Sequence, residues 1–162
     1  MAEPIAIVYA PAELPAQRTA AVAVEVARVG AAVLRLPRVD PATRAAVQDV
    51  TDLLVLDPDA GPVELLLGAD PLAELHRALT DRALTDRALR ERAAVDLVVG
   101  GRDVNALFAG LAAGTHLRAG SADTPGDGST RHDVQLVARA AALTRLAGRV
   151  PMSVAEARAR WG

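Results

Sequence analysis

The sequence predicts a one-domain α/β protein in which five parallel strands form a single sheet with helices on both faces. Two observations carry this expectation. Short apolar runs alternate along the chain with longer stretches of helical period, and those stretches have recognisable start and stop signals. The chain has 162 residues, and 51% are apolar. One core of ordinary size can be built from that.

The elements follow in order. Ile5-Ala-Ile-Val-Tyr9 reads as a buried strand. A helix is expected from about Ala16 to Val29, because Val22, Val26 and Val29 with Ala23 and Ala27 make one apolar face that ends at Gly30. Ala31 to Leu36 is the second strand, closed by Pro37. Asp40 caps a short helix to about Val47, with Pro41 at its first position. Asp52 to Leu56 is the third strand. A long helix from Pro71 to Arg92 leads to a fourth strand, Val95 to Val99, which ends in Gly100-Gly101. Asp103 caps a helix to Ala113. Thr115 to Ala119 is a weak fifth strand, assigned to a sheet edge with His116 and Arg118 outward. A polar loop, Gly120 to Ser129, precedes a helix from Asp133 to Leu146. The domain is expected to span 1–150. A tail, 151–162, contains a short helix opened by the capping box Ser153-x-x-Glu156.

One repeat interrupts this pattern: Arg77-Ala-Leu-Thr-Asp81, Arg82-Ala-Leu-Thr-Asp86 and Arg87-Ala-Leu89. A five-residue step turns a helix by about 500°, so each copy rotates its leucine by about 140°. The repeat reads either as a lengthened surface helix or as an arm that packs on a second subunit.

Composition narrows the chemistry. All 18 basic residues are arginine, and cysteine is absent. That excludes Schiff-base lysines, thiol nucleophiles, thiolate metal sites and disulfides. Tyr9, Phe108 and Trp161 are the only aromatic residues apart from histidine, so stacking platforms are scarce. His76, His116 and His132 show no metal-ligand spacing. A net charge of −2 argues against nucleic acid. No stretch is long and apolar enough for a membrane span, so a cytoplasmic protein is expected.

In an open parallel sheet ordered 2-1-3-4-5, ligands sit beyond the carboxyl ends of the strands at the switch point. The loops after Tyr9, Leu56 and Val99 are therefore the candidates. The first, Ala10-Pro-Ala-Glu13-Leu-Pro15, has two prolines and a carboxylate where a phosphate cradle would offer N–H groups. Asp57 and Asp59, with Gly61 just beyond, can act as acid and base or hold Mg²⁺ through water, or simply bond their own turn. Gly100, Gly101 and Arg102 can hold an anion or form a plain turn, and Asn105 can orient a carbonyl. His132, between Arg131 and Asp133, is either a tuned acid–base group or a solvated residue at a helix start.

Gly126-Asp-Gly-Ser129, followed by Leu136-Val-Ala-Arg139 and Leu146-Ala147, resembles the loop and helix of the WrbA-type NAD(P)H:quinone oxidoreductases, and Ile5 to Val33 resembles their front half in spacing. The resemblance implies a flavodoxin-like fold, FMN, hydride transfer to quinones, and homo-dimers or homo-tetramers. The positions near Ala10, Glu13 and Pro15 lack the family's phosphate donors. Asp57-Pro-Asp-Ala-Gly61 keeps the proline and glycine of the second loop but not its hydroxyls, arginine or aromatic. Losing two or three charge-assisted hydrogen bonds costs about 3–9 kcal/mol, so the leading expectation is a member without cofactor. Its cleft would take an apolar, quinone-like or polyketide-like molecule in a specialised pathway, with Asp57, Asp59 and His132 as its chemistry. The alternatives are an FMN-dependent oxidoreductase with unconventional contacts and a non-catalytic assembly subunit.

Overall fold

The computed structural model describes residues 3–85 and 97–162, with residues 81–85 as backbone only. In chain order the elements are β1 (Ile7–Tyr9), α1 (Ala16–Val29), β2 (Val33–Arg35), α2 (Pro41–Gln48), β3 (Leu54–Leu56) and β4 (Val63–Leu67). They continue with α3 (Pro71–Thr85), β5 (Leu97–Gly101), α4 (Val104–Ala113), β6 (His116–Ala119), α5 (Thr130–Leu146) and α6 (Val154–Trp161). The helix starts follow local chemistry. Asp40 accepts from the N–H groups of Ala42 and Thr43, each at 3.1 Å, and Pro41 fills the first position of α2. Ser153 and Glu156 form the expected capping box of α6. The copies of the five-residue repeat beyond Thr85, and Val95 and Asp96 of the expected fourth strand, lie outside the described residues.

The topology corrects the expected fold class. All strand pairs are parallel, and the six strands are ordered β3-β2-β1-β6-β5-β4. This is the cyclic order of a (βα) barrel with one open seam, between β3 and β4. The expected flavodoxin-like order 2-1-3-4-5 fails for two reasons. The run Val63-Glu-Leu-Leu-Leu67 is a strand that was not anticipated. The last strand also pairs with the first, with Val8 beside Arg118. The weak fifth strand is therefore no edge. It is β6, held between β1 and β5, and His116 is 2% exposed.

Alternation along the strands separates two cores. Outward-facing Ile5, Ile7, Tyr9, Leu34, Val55 and Leu117 pack under α1, α2 and α5. Leu67, Leu97 and Val99 face outward with Leu75 of α3 and Ala106 and Ala109 of α4. Inward-facing Ala6, Val8, Val33, Leu54, Leu56 and Val98 fill the barrel. Met152, Ala157 and Trp161 join this inner set, so α6 closes the amino-terminal end. There the Ala6 N–H donates to His116 Nδ1 at 3.0 Å, and the His116 ring meets Trp161 edge-on at 4.9 Å.

The seam is bridged by one side chain. The six residues Asp57–Pro62 connect β3 to β4 without a helix. Arg35, at the carboxyl end of β2 and 5% exposed, donates through Nη1 to the carbonyls of Asp57 (3.3 Å), Pro58 (2.8 Å) and Ala60 (2.7 Å). Its Nη2 donates to the Pro62 carbonyl at 3.0 Å. Four carbonyls of the loop that joins β3 to β4 are thus satisfied by a guanidinium.

Candidate functional site

Above His116 the barrel interior is apolar up to its last layer, where three charged side chains converge. Arg35, Glu64 and Arg118 are each the one Arg, Asp or Glu of their strand, on β2, β4 and β6. Glu64 lies between the two guanidiniums. Its Oε1 is 2.7 Å from Arg35 Nε, and its Oε2 accepts from Arg118 Nη1. The first of these contacts is an ion pair without hydrogen-bond alignment, which leaves the buried Oε1 without a directed donor. Arg118 also makes a two-pronged contact with Asp123, Nε to Oδ2 at 2.6 Å and Nη2 to Oδ1 at 2.9 Å. Burial alone pulls the Arg118 guanidinium down. The hydrogen bond to Asp123 and the charge of Glu64 outweigh that pull and hold it above its ordinary range, so it stays cationic.

These groups line a cleft of about 240 Å³ at the carboxyl ends of the strands. Its other walls are apolar or lack N–H donors: Ala10 and Pro11 after β1, Leu36 and Pro37 after β2, Pro58 in the seam loop, and Ala122 after β6. The turn that returns Asp123 to Arg118 depends on Gly120, whose φ is 153°. A Cβ there would stand 2.1 Å from the Ala10 carbonyl oxygen. Asp133 of α5 holds the same turn by accepting from the Ser121 N–H at 2.8 Å. Buried Tyr9 has its phenol pushed well above its ordinary range, first by burial and then by the neighbouring Asp133 carboxylate.

The candidates from sequence are scattered. Ala10 lines the cleft. Glu13 is exposed and pairs with Arg38 at 2.9 Å. Asp57 is held by Arg44 at 2.8 Å, and Asp59 is an exposed turn residue. Gly61 makes room for Leu56, Gly100 for Arg118, and Gly101 for Ala106 and the Leu67 carbonyl. Arg102 is exposed. Asn105 lines a separate groove between α3 and α4 with Leu72 and Phe108. The His132 ring clamps the preceding loop through its Nε2 contact with the Thr124 carbonyl at 2.8 Å. Asp57 and His132 are thus engaged with different partners, in different places. Arg35, Glu64 and Asp123 were missed, and Arg118 was turned the wrong way. The available signal was one Arg or Glu inside each of three short, mainly apolar strands. Such charges must find one another when the strands close around a common interior.

The charged residues of the cleft occur in both halves of the chain, and the second half is the more recognisable. The family profile of the beta-keto acid cleavage enzymes matches residues 69–162, more than half of the chain. The chain belongs to the beta-keto acid cleavage enzyme family. Arg118 and Asp123 lie inside the matched segment, and Arg35 and Glu64 lie before it. A solved structure, (S)-3-O-geranylgeranylglyceryl phosphate synthase from Thermoplasma acidophilum in complex with its substrate sn-glycerol-1-phosphate, is similar with a TM-score of 0.52. At 14% identity over 85% of this chain and 92% of the other, it supports the TIM-barrel-like fold alone. The comparison with curated proteins finds no match.

Membership of this family corrects the resemblance to WrbA-type oxidoreductases, and with it the expected roles as a quinone oxidoreductase or as a flavodoxin-like binder of quinone- or polyketide-like molecules. The Gly-Asp-Gly-Ser loop that suggested them is a helix entry here: Ser129 caps α5, accepting from the His132 N–H at 3.2 Å. Among the described residues, no helix is long and apolar enough to cross a membrane. None of their His, Asp or Glu side chains gather in a group of three that could hold a metal ion.

Proposed function

We propose that the carboxyl-end cleft binds a small β-keto acid as its anion and that Arg118 is the cation that recognises it. The position of Arg118 carries this reading. It stands on the carboxyl-terminal face, where barrels of this kind place their chemistry, within the segment that matches the family. Asp123 fixes the guanidinium plane through two hydrogen bonds, and a third N–H goes to Glu64. Two of its five N–H bonds are left over for a ligand. At about 240 Å³ the cleft is smaller than the ~300–1,000 Å³ usual for drug-sized molecules, which suits a short-chain acid. Cleaving a β-keto acid between its α and β carbons needs a nucleophile, water or a co-substrate thiol, that adds to the β-carbonyl and keeps the acyl group; the electron pair of the broken bond stays on the α carbon, conjugated with the carboxylate, until a proton quenches it. A fixed guanidinium at that carboxylate favours this charge over the ground state.

Titration calorimetry with acetoacetate, the smallest acid of the class with a methyl ketone, tests the reading. The native chain is expected to bind it. Arg118→Gln, checked for retained fold by circular dichroism, should bind about 10–150-fold more weakly, the equivalent of one charge-assisted hydrogen bond of ~1.5–3 kcal/mol. No binding by the native chain, or equal binding by a folded variant, would remove Arg118 from this role.

A further inference from the structure

We infer that the outer face of α3 and α4 is the surface on which two copies of this chain pair, as an antiparallel two-fold dimer. The composition of α4 is the first reason. Val104–Ala113 holds no charged residue, and Asn105 is its only polar one. A helix of that kind is ordinarily covered on every side. Here one face is open: Asn105, Phe108 and Ala112 are exposed. Phe108 is 51% exposed, and Leu72 of α3 is 65% exposed. Both line one apolar groove of about 360 Å³, with Asp70 and Ala112. The groove continues along α3 past Leu75, His76 and Leu79, with Ala109 and Ala113 of α4 opposite. Large apolar side chains that gather in one place, instead of being scattered singly, mark a contact surface.

Self-complementarity selects a second copy as the occupant. Phe108 is a knob, and Ala112, about one turn further along the same open face, is a hollow. A two-fold axis crossing α4 at the level of Gly110 sets each Phe108 over Ala112 of the other copy. Charge follows the same axis. Asp70 stands at one end of the groove, and His76 lies further along it, beside exposed Arg77. The midpoint of Asp70 and His76 is Ala73, which is exposed and small enough to let two α3 helices approach. The groove puts Ala73 level with Gly110, because Leu72 shares it with Phe108, and Leu75 shares it with Ala113. One rotation therefore brings Phe108 to Ala112, Asp70 to His76 and Arg77, and Ala73 to its own copy. An unrelated partner would have to match the knob and the charges separately, whereas an isologous pair matches both with one axis. None of these residues lines the carboxyl-end cleft, so the dimer leaves that cleft open.

Sedimentation velocity of the full chain over roughly 1–200 µM tests the inference. Two facing helix pairs make a patch at the small end of specific interfaces, so a dissociation constant of about 1–100 µM is expected. The mass should rise with concentration from 16.8 kDa to twice that. Phe108→Asp and Ala112→Asp, both at exposed positions, should keep the native circular dichroism and stay at 16.8 kDa throughout. Asp70→Asn keeps an oxygen for the Ala73 N–H and should weaken pairing about 2–30-fold, the effect of two exposed charge pairs. The chain has no cysteine, so an introduced one reports the axis directly. Mild oxidation should link Ala73→Cys to its own copy, and should not link Thr80→Cys, which is also exposed but lies about two turns from the axis. A native chain that stays monomeric would overturn the inference and leave the groove to a different occupant. A dimer that survives both Asp variants, or equal cross-linking of the two cysteine variants, would overturn it as well.

Discussion

Replacing Arg35 by methionine tests whether one guanidinium holds the loop that joins β3 to β4 and so closes the seam. The substitution keeps most of the side-chain volume and removes every polar contact. It leaves Glu64 and Asp123 to share the single guanidinium of Arg118, one buried carboxylate in excess, and strands the carbonyls of Asp57, Pro58, Ala60 and Pro62. Nη1 has two hydrogens for three acceptors, so the 3.3 Å contact to Asp57 counts least. Breaking a buried ion pair by removing one partner costs about 3–5 kcal/mol. In a chain of this length each kcal/mol lowers Tm by roughly 2–4 °C, so a fall of about 6–20 °C is expected. Thermal unfolding followed by circular dichroism measures it. The double variant Arg35→Met, Glu64→Leu removes the stranded charge and should recover part of the loss, because a buried pair exchanged for apolar groups is far less costly than half a pair. A single variant within ~3 °C of native, less than the effect of about 1.5 kcal/mol, would refute the claim that Arg35 closes the seam.

Two further predictions concern the turn above the cleft and the core beneath it. Gly120→Ala forces a left-handed backbone on alanine and drives its Cβ into the Ala10 carbonyl. It should cost at least the ~1–3 kcal/mol of backbone strain and weaken acetoacetate binding by displacing Asp123; unchanged Tm and binding would show that the turn is not tight. Tyr9 is the only tyrosine, so the tyrosinate absorbance band reports it alone. Its folded-state ionisation is raised, so the stability it contributes is complete below the ordinary value of ~10 and is lost as pH rises beyond it. The band should appear together with loss of the circular dichroism signal, and a Tyr9 that ionises in the folded chain would refute its burial beside Asp133.

Much of the local structure was legible in the sequence. Asp40-Pro41 and Ser153-x-x-Glu156 start helices because a side-chain oxygen beside bare N–H groups acts within three residues. The apolar face of α1 and the runs Ile5–Tyr9 and Ala31–Leu36 follow from period alone. Val63–Leu67 was harder to read: its outer residues are half exposed at an open seam, and only Leu67 of that run is buried. Tertiary structure alone decided whether the βα units would spread into an open sheet or curl until β6 met β1. An alternation of strands and helices is the same in both, and the difference lies in a contact between residues about 110 apart, Val8 and Arg118. The candidate site depended on that closure. Arg35, Glu64 and Arg118 are separate charges along the chain. They become one ion-paired cluster only because the strands carrying them share an interior, where a charge without a partner would cost more than the fold can offset.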